Sequence, residues 1–122
     1  MFSLNIMIVD DSQLAIKKME ATLLKLGHNV KATATTGIDA IHKYRLEMPD
    51  VVTMDITMPE MDGIEATRRI IVEFPDAKII MVTSHGQEDM VRQAIKAGAR
   101  GYILKPVDAE KLAQQIETII NL

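Results

Sequence analysis

Short apolar runs alternate with amphipathic segments along the chain. Four of the five runs are apolar at consecutive positions, the pattern of strands that are covered on both faces of a sheet. The second run alternates between polar and apolar residues, which is typical of a strand at the edge of a sheet. The predicted strands are Leu4–Val9, Asn29–Thr33, Val51–Met54, Lys78–Val82 and Tyr102–Leu104.

Between these runs the apolar residues recur every three or four positions, which predicts amphipathic helices. Ser12 and Asp108 stand where helix N-caps are expected, and Gly27, Pro49 and Pro75 stand where helices should stop. The apolar stripes are Ile16, Met19, Leu23 and Leu26; Ile41, Tyr44 and Met48; Ile64, Thr67, Ile71 and Phe74; Val91, Ala94, Ile95 and Gly98; and Leu112, Ile116, Ile119 and Ile120.

Five strand–helix repeats predict an α/β fold with parallel strands, right-handed crossovers and helices on both faces of the sheet. We expect an open, doubly wound (βα)5 sheet that forms one domain over residues 1–122. The strand order 2-1-3-4-5 is adopted from known flavodoxin-like proteins, which have this number of repeats. In such sheets, ligands bind at the carboxyl ends of the strands, where the strand order reverses.

Polar residues follow the predicted strands at that edge: Asp10 and Asp11 after the first, Asp55 after the third, Thr83 after the fourth and Lys105 after the fifth. In the expected order the first and third strands are neighbours, so the three carboxylates would share one crevice. Such a cluster is costly without a cation, because neighbouring carboxylates disfavour one another's ionised form. Mg²⁺ prefers oxygen ligands of this kind. A carboxylate beside it can attack phosphorus and form an aspartyl phosphate, with a lysine stabilising the charge.

Composition excludes several other functions. The chain has no cysteine, which excludes disulfides, thiolate zinc sites and thiol catalysis. A net charge of -3 without a basic run, and 3% aromatic residues, do not favour direct binding to nucleic acid. No apolar stretch approaches the ~20 residues of a membrane span, and the N-terminus lacks a signal-peptide pattern. We therefore expect a cytoplasmic protein without membrane insertion.

Four sequence blocks, in this order and at this spacing, resemble the CheY-like receiver domains of two-component response regulators. They are IMIVDDS, VVTMDITMPEMDGIEA, AKIIMVTS and AGARGYILKP, which together span nearly the whole chain. The resemblance implies that Asp55 is the phosphoacceptor and that Asp10 and Asp11 bind Mg²⁺ together with Asp55 and the backbone carbonyl of Thr57. It also implies that Lys105 contacts the phosphoryl group.

The same resemblance implies that Thr83 contacts the phosphoryl group and acts with Tyr102 as a switch, and that a cis peptide bond joins Lys105 and Pro106. The side chains of Thr57 and His85 would tune the lifetime of the phosphoryl group. The implied output surface comprises the fourth helix, the fifth strand and the fifth helix, with Met90, Arg92, Gln93, Lys96, Ala99, Tyr102 and Lys111 on or near it.

The implied function is that of a single-domain response regulator rather than a conventional enzyme. It would accept a phosphoryl group from a phosphohistidine of a sensor histidine kinase, hydrolyse its own acyl phosphate and signal by phosphorylation-dependent protein binding. The block VTMDITMPEMDGI resembles stand-alone chemotaxis regulators and favours a flagellar switch as target. A phosphorelay intermediate, acting on a phosphotransfer protein, and a receiver fragment of a longer regulator remain alternatives. A monomer or weak dimer is expected.

Other interpretations remain open from the residues alone. Asp10 and Asp11 could be turn formers or helix caps, Thr83 and Ser84 could cap the following helix, and Tyr102 could be plain core. A flavodoxin-like FMN carrier shares the architecture, but two carboxylates in its phosphate loop would repel the cofactor. An aspartyl-phosphate phosphatase would need a cap that no insertion is long enough to build. A receiver fold that no longer accepts phosphate is disfavoured because every expected pocket group is present. His28 and His42 are expected at the surface.

Overall fold

The computed structural model describes residues 3–121, in which five strands and five helices alternate along the chain. The strands are β1 (Asn5–Val9), β2 (Asn29–Ala34), β3 (Val51–Asp55), β4 (Ile79–Thr83) and β5 (Gly101–Leu104). The helices are α1 (Gln13–Lys25), α2 (Gly37–Glu47), α3 (Gly63–Glu73), α4 (Glu88–Ala97) and α5 (Ala109–Ile120). Every predicted strand is present, with each end within one residue of its predicted position.

The five strands form one parallel sheet in the order β2-β1-β3-β4-β5. The expected fold class and strand order are therefore confirmed, and β2 lies at an edge, as its alternating pattern predicted. The order reverses beside β1, which pairs with β2 on one side and with β3 on the other. The carboxyl ends of β1 and β3 consequently lie next to each other.

Each face of the sheet is covered by a separate apolar layer, because successive side chains of a strand point to opposite faces. On β1, Ile6 and Ile8 belong to the layer that contains residues of α1 and α5, whereas Met7 and Val9 belong to the layer that contains residues of α2, α3 and α4. Burying one large aliphatic side chain contributes about 1.5–3 kcal/mol. The two layers together therefore supply much of the free energy that holds the helices against the sheet.

The predicted helix starts are confirmed by their hydrogen bonds. The Ser12 hydroxyl accepts a hydrogen bond from the amide of Ala15, and the Asp108 carboxylate accepts from the amides of Glu110 and Lys111. By contrast, α4 begins after Gln87, without a side-chain cap. The alternative in which Thr83 or Ser84 caps this helix is therefore wrong.

One of the two histidines expected at the surface is buried. His42 is exposed as expected, but His28 is buried. The His28 Nδ1 atom accepts a hydrogen bond of 3.2 Å from the backbone amide of Leu4, and burial lowers the pKa of the imidazole. The chain turns at Gly27, which has a φ of 92°, and then runs beside the start of β1, where the Asn29 amide donates a hydrogen bond to the Leu4 carbonyl. Within residues 3–121, none of the helices has the length and apolarity needed to cross a membrane.

Candidate functional site

Three carboxylates meet at the carboxyl edge of the sheet. One oxygen each from Asp10, Asp11 and Asp55 lies within 4.8 Å of the other two. Asp10 directly follows β1 and Asp55 is the last residue of β3, so the strand pairing brings them together. Asp10 and Asp55 are each only 6% exposed, whereas Asp11 faces solvent. The cluster thus has two buried members and one at its mouth.

The Lys105 ammonium group lies between the two buried carboxylates. Its Nζ atom is 2.8 Å from Asp10 Oδ2 and 3.4 Å from Asp55 Oδ1. The position of Lys105 is set by the end of β5, where its backbone amide donates a hydrogen bond to the carbonyl of Thr83. The peptide bond between Lys105 and Pro106 is cis. A single cation therefore compensates part of the buried negative charge.

These surroundings shift the ionisation of Asp55 and Lys105. Burial and the neighbouring Asp10 charge raise the pKa of Asp55 to about 6, although Lys105 opposes the shift. Burial alone would lower the pKa of Lys105, but its hydrogen bond to Asp10 and the charge of Asp55 raise it overall. At neutral pH Asp55 is therefore mostly ionised while held in an environment that disfavours its charge.

The chemistry of the donor set fits Mg²⁺. The three clustered ligand atoms are all carboxylate oxygens, and hard divalent cations bind such oxygens in preference to nitrogen or sulfur. Thr57 follows Asp55 by two residues and is exposed in the loop between β3 and α3. The role of its backbone carbonyl as a further ligand stays a prediction.

Thr83 and Tyr102 both contact the backbone of one residue, His85. Thr83 ends β4 and is 1% exposed, and its Oγ1 atom accepts a hydrogen bond of 3.1 Å from the His85 amide. The Tyr102 hydroxyl donates a hydrogen bond of 2.7 Å to the His85 carbonyl. Burial also raises the pKa of Tyr102. The two residues assigned to the switch are thereby connected through the loop between β4 and α4.

The loop that follows Asp55 is fixed by buried methionines and a glycine. Met58 and Met61 are nearly fully buried, and the Gly63 amide donates a hydrogen bond of 2.7 Å to the Ile56 carbonyl. Asp62 accepts a hydrogen bond from the Glu65 amide and so begins α3. Gly63 also lies close to the Asp55 carbonyl oxygen, a contact that was not predicted from the sequence.

The implied output surface is largely solvent-exposed. Ala99 is an exception, because it is 8% exposed and packs in the apolar layer below α4. It therefore lies near this surface and not on it. The exposed members are Arg92, Gln93, Lys96 and Lys111, and the partly buried ones are Met90 and Tyr102.

Sequence reasoning also missed Gln115. Its side-chain amide binds the backbone of Tyr102 at both polar groups. The only signal in the sequence is a polar residue directly before Ile116 in the apolar stripe of α5, and such residues usually face solvent. The contact joins positions that are 13 residues apart, so the local pattern could not reveal it.

Comparisons with known proteins agree with this geometry. Chemotaxis protein CheY of Bacillus subtilis is 44% identical over 116 residues, which cover 95% of this chain and 97% of that protein. CheY of Thermotoga maritima is 41% identical over 114 residues, covering 93% and 95% of the two chains. A chain in the crystal structure of the CheX-CheY-BeF3-Mg+2 complex from Borrelia burgdorferi superimposes with a TM-score of 0.90 at 36% identity, covering 94% of this chain and 87% of that one.

The family described as "Response regulator receiver domain" matches residues 6–117, which include every residue of the pocket. The sheet order, the acidic pocket and these matches agree with one another, and the resemblance to CheY-like receivers is confirmed. The chain belongs to the response regulator receiver domain family.

Proposed function

We propose that this receiver accepts a phosphoryl group on Asp55 from the phosphohistidine of a sensor histidine kinase. The observation that carries the proposal is the position of Asp55. Its carboxylate is buried at the end of β3, close to the oxygens of Asp10 and Asp11, and 3.4 Å from the Lys105 ammonium. Residues 1–122 act in this proposal as one receiver unit, in the cytoplasm, as a monomer or weak dimer.

Phosphoryl transfer requires the ionised form of Asp55. One carboxylate oxygen attacks phosphorus while the bond from phosphorus to the imidazole nitrogen breaks, and the bonding electron pair remains on that nitrogen. The result is an aspartyl phosphate on the receiver and a free histidine on the kinase. A pKa of about 6 leaves Asp55 mostly ionised at neutral pH, so the nucleophile is available without a separate base.

Two side chains are placed to bind the transferred group. Lys105 already contacts Asp55, so its ammonium can bind a phosphoryl oxygen by turning away from one carboxylate. Thr83 accepts the hydrogen bond from the His85 amide, which leaves its own hydroxyl hydrogen available for donation to a phosphoryl oxygen. Such a donation would bias the loop that holds the Tyr102 hydroxyl and so alter a remote surface.

Asp10, Asp11 and Asp55, with the Thr57 carbonyl, are the residues that would hold Mg²⁺. The ion would supply positive charge that reduces the repulsion between the incoming phosphoryl group and the carboxylates. Hydrolysis of the acyl phosphate is part of the proposal, with water entering from the side of the pocket where Asp11 is exposed. Thr57 and His85 are both exposed and flank the pocket residues in sequence, which supports a role in setting the lifetime of the phosphoryl group.

The proposed output is phosphorylation-dependent binding of another protein to the surface formed by α4, β5 and α5. Similarity to chemotaxis proteins over nearly their full length supports a flagellar switch or another chemotaxis protein as the target. A phosphorelay intermediate, passing the group to a phosphotransfer protein, is the second candidate. An FMN carrier is disfavoured because the buried carboxylate of Asp10 lies where such a protein would bind the phosphate of its cofactor, and the two negative charges would repel each other.

Mass spectrometry of the intact protein tests the proposal. Incubation with acetyl phosphate and Mg²⁺ should add one phosphoryl group to the wild type. Asp55→Asn should abolish the gain, whereas Asp76→Asn, at an exposed aspartate after α3, should retain it. A phosphoryl group that still appears on Asp55→Asn would rule out Asp55 as the acceptor.

A further inference from the structure

The outer edge of β5 is bound by a side chain of α5. β5 is the last strand of the sheet and pairs only with β4 among the described strands. The Tyr102 amide donates a hydrogen bond of 2.9 Å to Gln115 Oε1, and Gln115 Nε2 donates one of 2.7 Å to the Tyr102 carbonyl. The side-chain amide of Gln115 thus forms hydrogen bonds with both polar backbone groups of Tyr102, as a neighbouring strand would.

Gly101 makes this contact possible. A Cβ atom at this position would overlap Gln115 Oε1 and would also lie 3.2 Å from Ile80 Cγ1. Any larger residue would therefore displace the Gln115 side chain or the strand. Gly101 and Gln115 form a matched pair, in which the absence of one side chain lets the other reach the backbone.

The same tyrosine carries the contact to the loop between β4 and α4. Its hydroxyl donates a hydrogen bond to the His85 carbonyl, and the His85 amide donates one to the Thr83 hydroxyl. The position from which the phenol reaches His85 depends on the Tyr102 backbone, and Gln115 fixes that backbone from α5. A continuous set of hydrogen bonds therefore runs from Thr83 in the pocket to helix α5.

We propose that Gln115 is a positioning residue for Tyr102, which keeps the strand backbone fixed so that the phenol ring alone responds to events at Asp55. The proposal rests on the proposed function, because the response that it controls follows phosphorylation. A primary amide is suited to this task because it carries a donor and two acceptor lone pairs without charge. Leucine offers neither group, and ionised glutamate offers only acceptors.

The two hydrogen bonds between the Gln115 side chain and the Tyr102 backbone form a clamp, and amide hydrogen exchange measures this clamp without any phosphorylation. In Gln115→Leu, the Tyr102 amide should lose its acceptor and exchange about tenfold faster or more, relative to its intrinsic rate. Gln114→Leu is the matched control, since Gln114 is the exposed neighbour on the same helix. It should leave the Tyr102 exchange rate unchanged. Equal rates in the wild type and Gln115→Leu would overturn the proposal.

Gln115→Glu separates positioning from general stability. The ionised carboxylate can accept from the Tyr102 amide but faces the Tyr102 carbonyl without a proton to donate. Protonation at low pH restores the donor, so protection of the Tyr102 amide should recover as pH falls in this variant and not in Gln115→Leu. Absence of such recovery would contradict the two-bond clamp.

The effect on the switch can be read from a single tyrosine. The chain has two tyrosines and no tryptophan, so in a Tyr44→Phe background the NMR signal of ¹³C-labelled tyrosine reports only on Tyr102. Beryllofluoride with Mg²⁺ should shift this signal in the background protein and with Gln114→Leu. With Gln115→Leu we expect a smaller shift and a broader signal. An unchanged shift with Gln115→Leu would overturn the proposal.

Intact mass after acetyl phosphate treatment distinguishes the two proposals. Equal phosphorylation of all variants shows that the pocket works, and the tyrosine signal then tests Gln115 alone. If no variant is phosphorylated, the proposed function fails, and the exchange of the Tyr102 amide still decides whether Gln115 holds the strand.

Discussion

Gly63 packs so closely against Asp55 that a Cβ atom on Gly63 would overlap the Asp55 carbonyl oxygen. The first residue of α3 therefore lies directly on the backbone of the proposed phosphoacceptor. The Gly63 amide binds the next carbonyl, that of Ile56, at 2.7 Å. The start of the helix and the end of β3 are thus fixed to each other, and the position of the Asp55 carboxylate depends on this contact.

Gly63→Ala should disturb both stability and phosphorylation. The added methyl group meets backbone atoms, which cannot move aside, so we expect a loss of about 2–3 kcal/mol in the free energy of unfolding. Phosphorylation by acetyl phosphate should also slow. Urea unfolding and intact mass measure the two effects.

Gly86→Ala is the control, because its methyl group would meet only the end of the exposed Leu104 side chain. A loss below about 1 kcal/mol is expected there. Equal losses in the two variants would contradict the proposed contact between Gly63 and Asp55.

The raised pKa of Asp55 makes metal-free stability depend on pH. Between the unfolded pKa of 3.8 and the folded value of about 6, the folded state binds more protons than the unfolded state. The free energy of unfolding should therefore fall as pH rises through this range, by about 1–3 kcal/mol from this group. Its contribution is fully present below pH 3.8 and lost above about pH 6.

Asp55→Asn removes that titration. In the presence of a chelator, the stability of Asp55→Asn relative to the wild type should increase between about pH 4 and pH 7, as measured by urea unfolding. Asp76→Asn, at an exposed site, provides the control and should follow the wild type. A constant difference between Asp55→Asn and the wild type over this range would show that the folded protein does not raise the pKa of Asp55.

Lys105→Met tests the ammonium group that lies between Asp10 and Asp55. Its removal leaves two buried carboxylates without their cation, so we expect a loss of about 2–3 kcal/mol in the free energy of unfolding at neutral pH. The loss should shrink at low pH, where Asp55 is protonated. Phosphorylation should also slow strongly, because the phosphoryl oxygens lose a cationic partner.

Lys111→Met is the matched control on the exposed side of α5. It should change the free energy of unfolding by less than about 0.5 kcal/mol and leave phosphorylation intact. Thermal and urea unfolding of both variants measure the difference. A loss for Lys105→Met that stays constant with pH would argue against a charge-based role.

Asp11→Asn tests the binding of Mg²⁺ separately from the stability of the metal-free fold. Because removing the Asp11 charge relieves repulsion with Asp10 and Asp55, the metal-free variant should be at least as stable as the metal-free wild type. Mg²⁺ at about ten times its dissociation constant should stabilise the wild type by about 1.4 kcal/mol. The variant should show much less stabilisation at the same concentration.

Unfolding with a chelator and then with added Mg²⁺ measures this difference, and Asp39→Asn, in α2, serves as a control with a carboxylate outside the cluster. If Asp11→Asn is stabilised by Mg²⁺ as strongly as the wild type, Asp11 is not a ligand.

The sequence by itself determined the strands, the helix starts at Ser12 and Asp108, and the set of polar residues at the carboxyl edge. Consecutive apolar residues in four runs can be buried only between two layers of helices, and the cap at Ser12 depends on neighbours three residues away. These features arise from local spacing, and local spacing is what a sequence displays directly. The strand order came from analogy with known folds, and the sheet then fixed Asp10 and Asp55 as neighbours.

Only the tertiary structure decided how groups far apart in the chain face one another. It separated buried Asp10 from exposed Asp11, although the two are adjacent, and it placed His28 and Ala99 inside. It also brought Gln115 to Tyr102 and Lys105 to Asp10, which are 95 residues apart. Burial and charge compensation depend on what packs against a side chain from other elements. A residue's own neighbours in sequence do not contain that information.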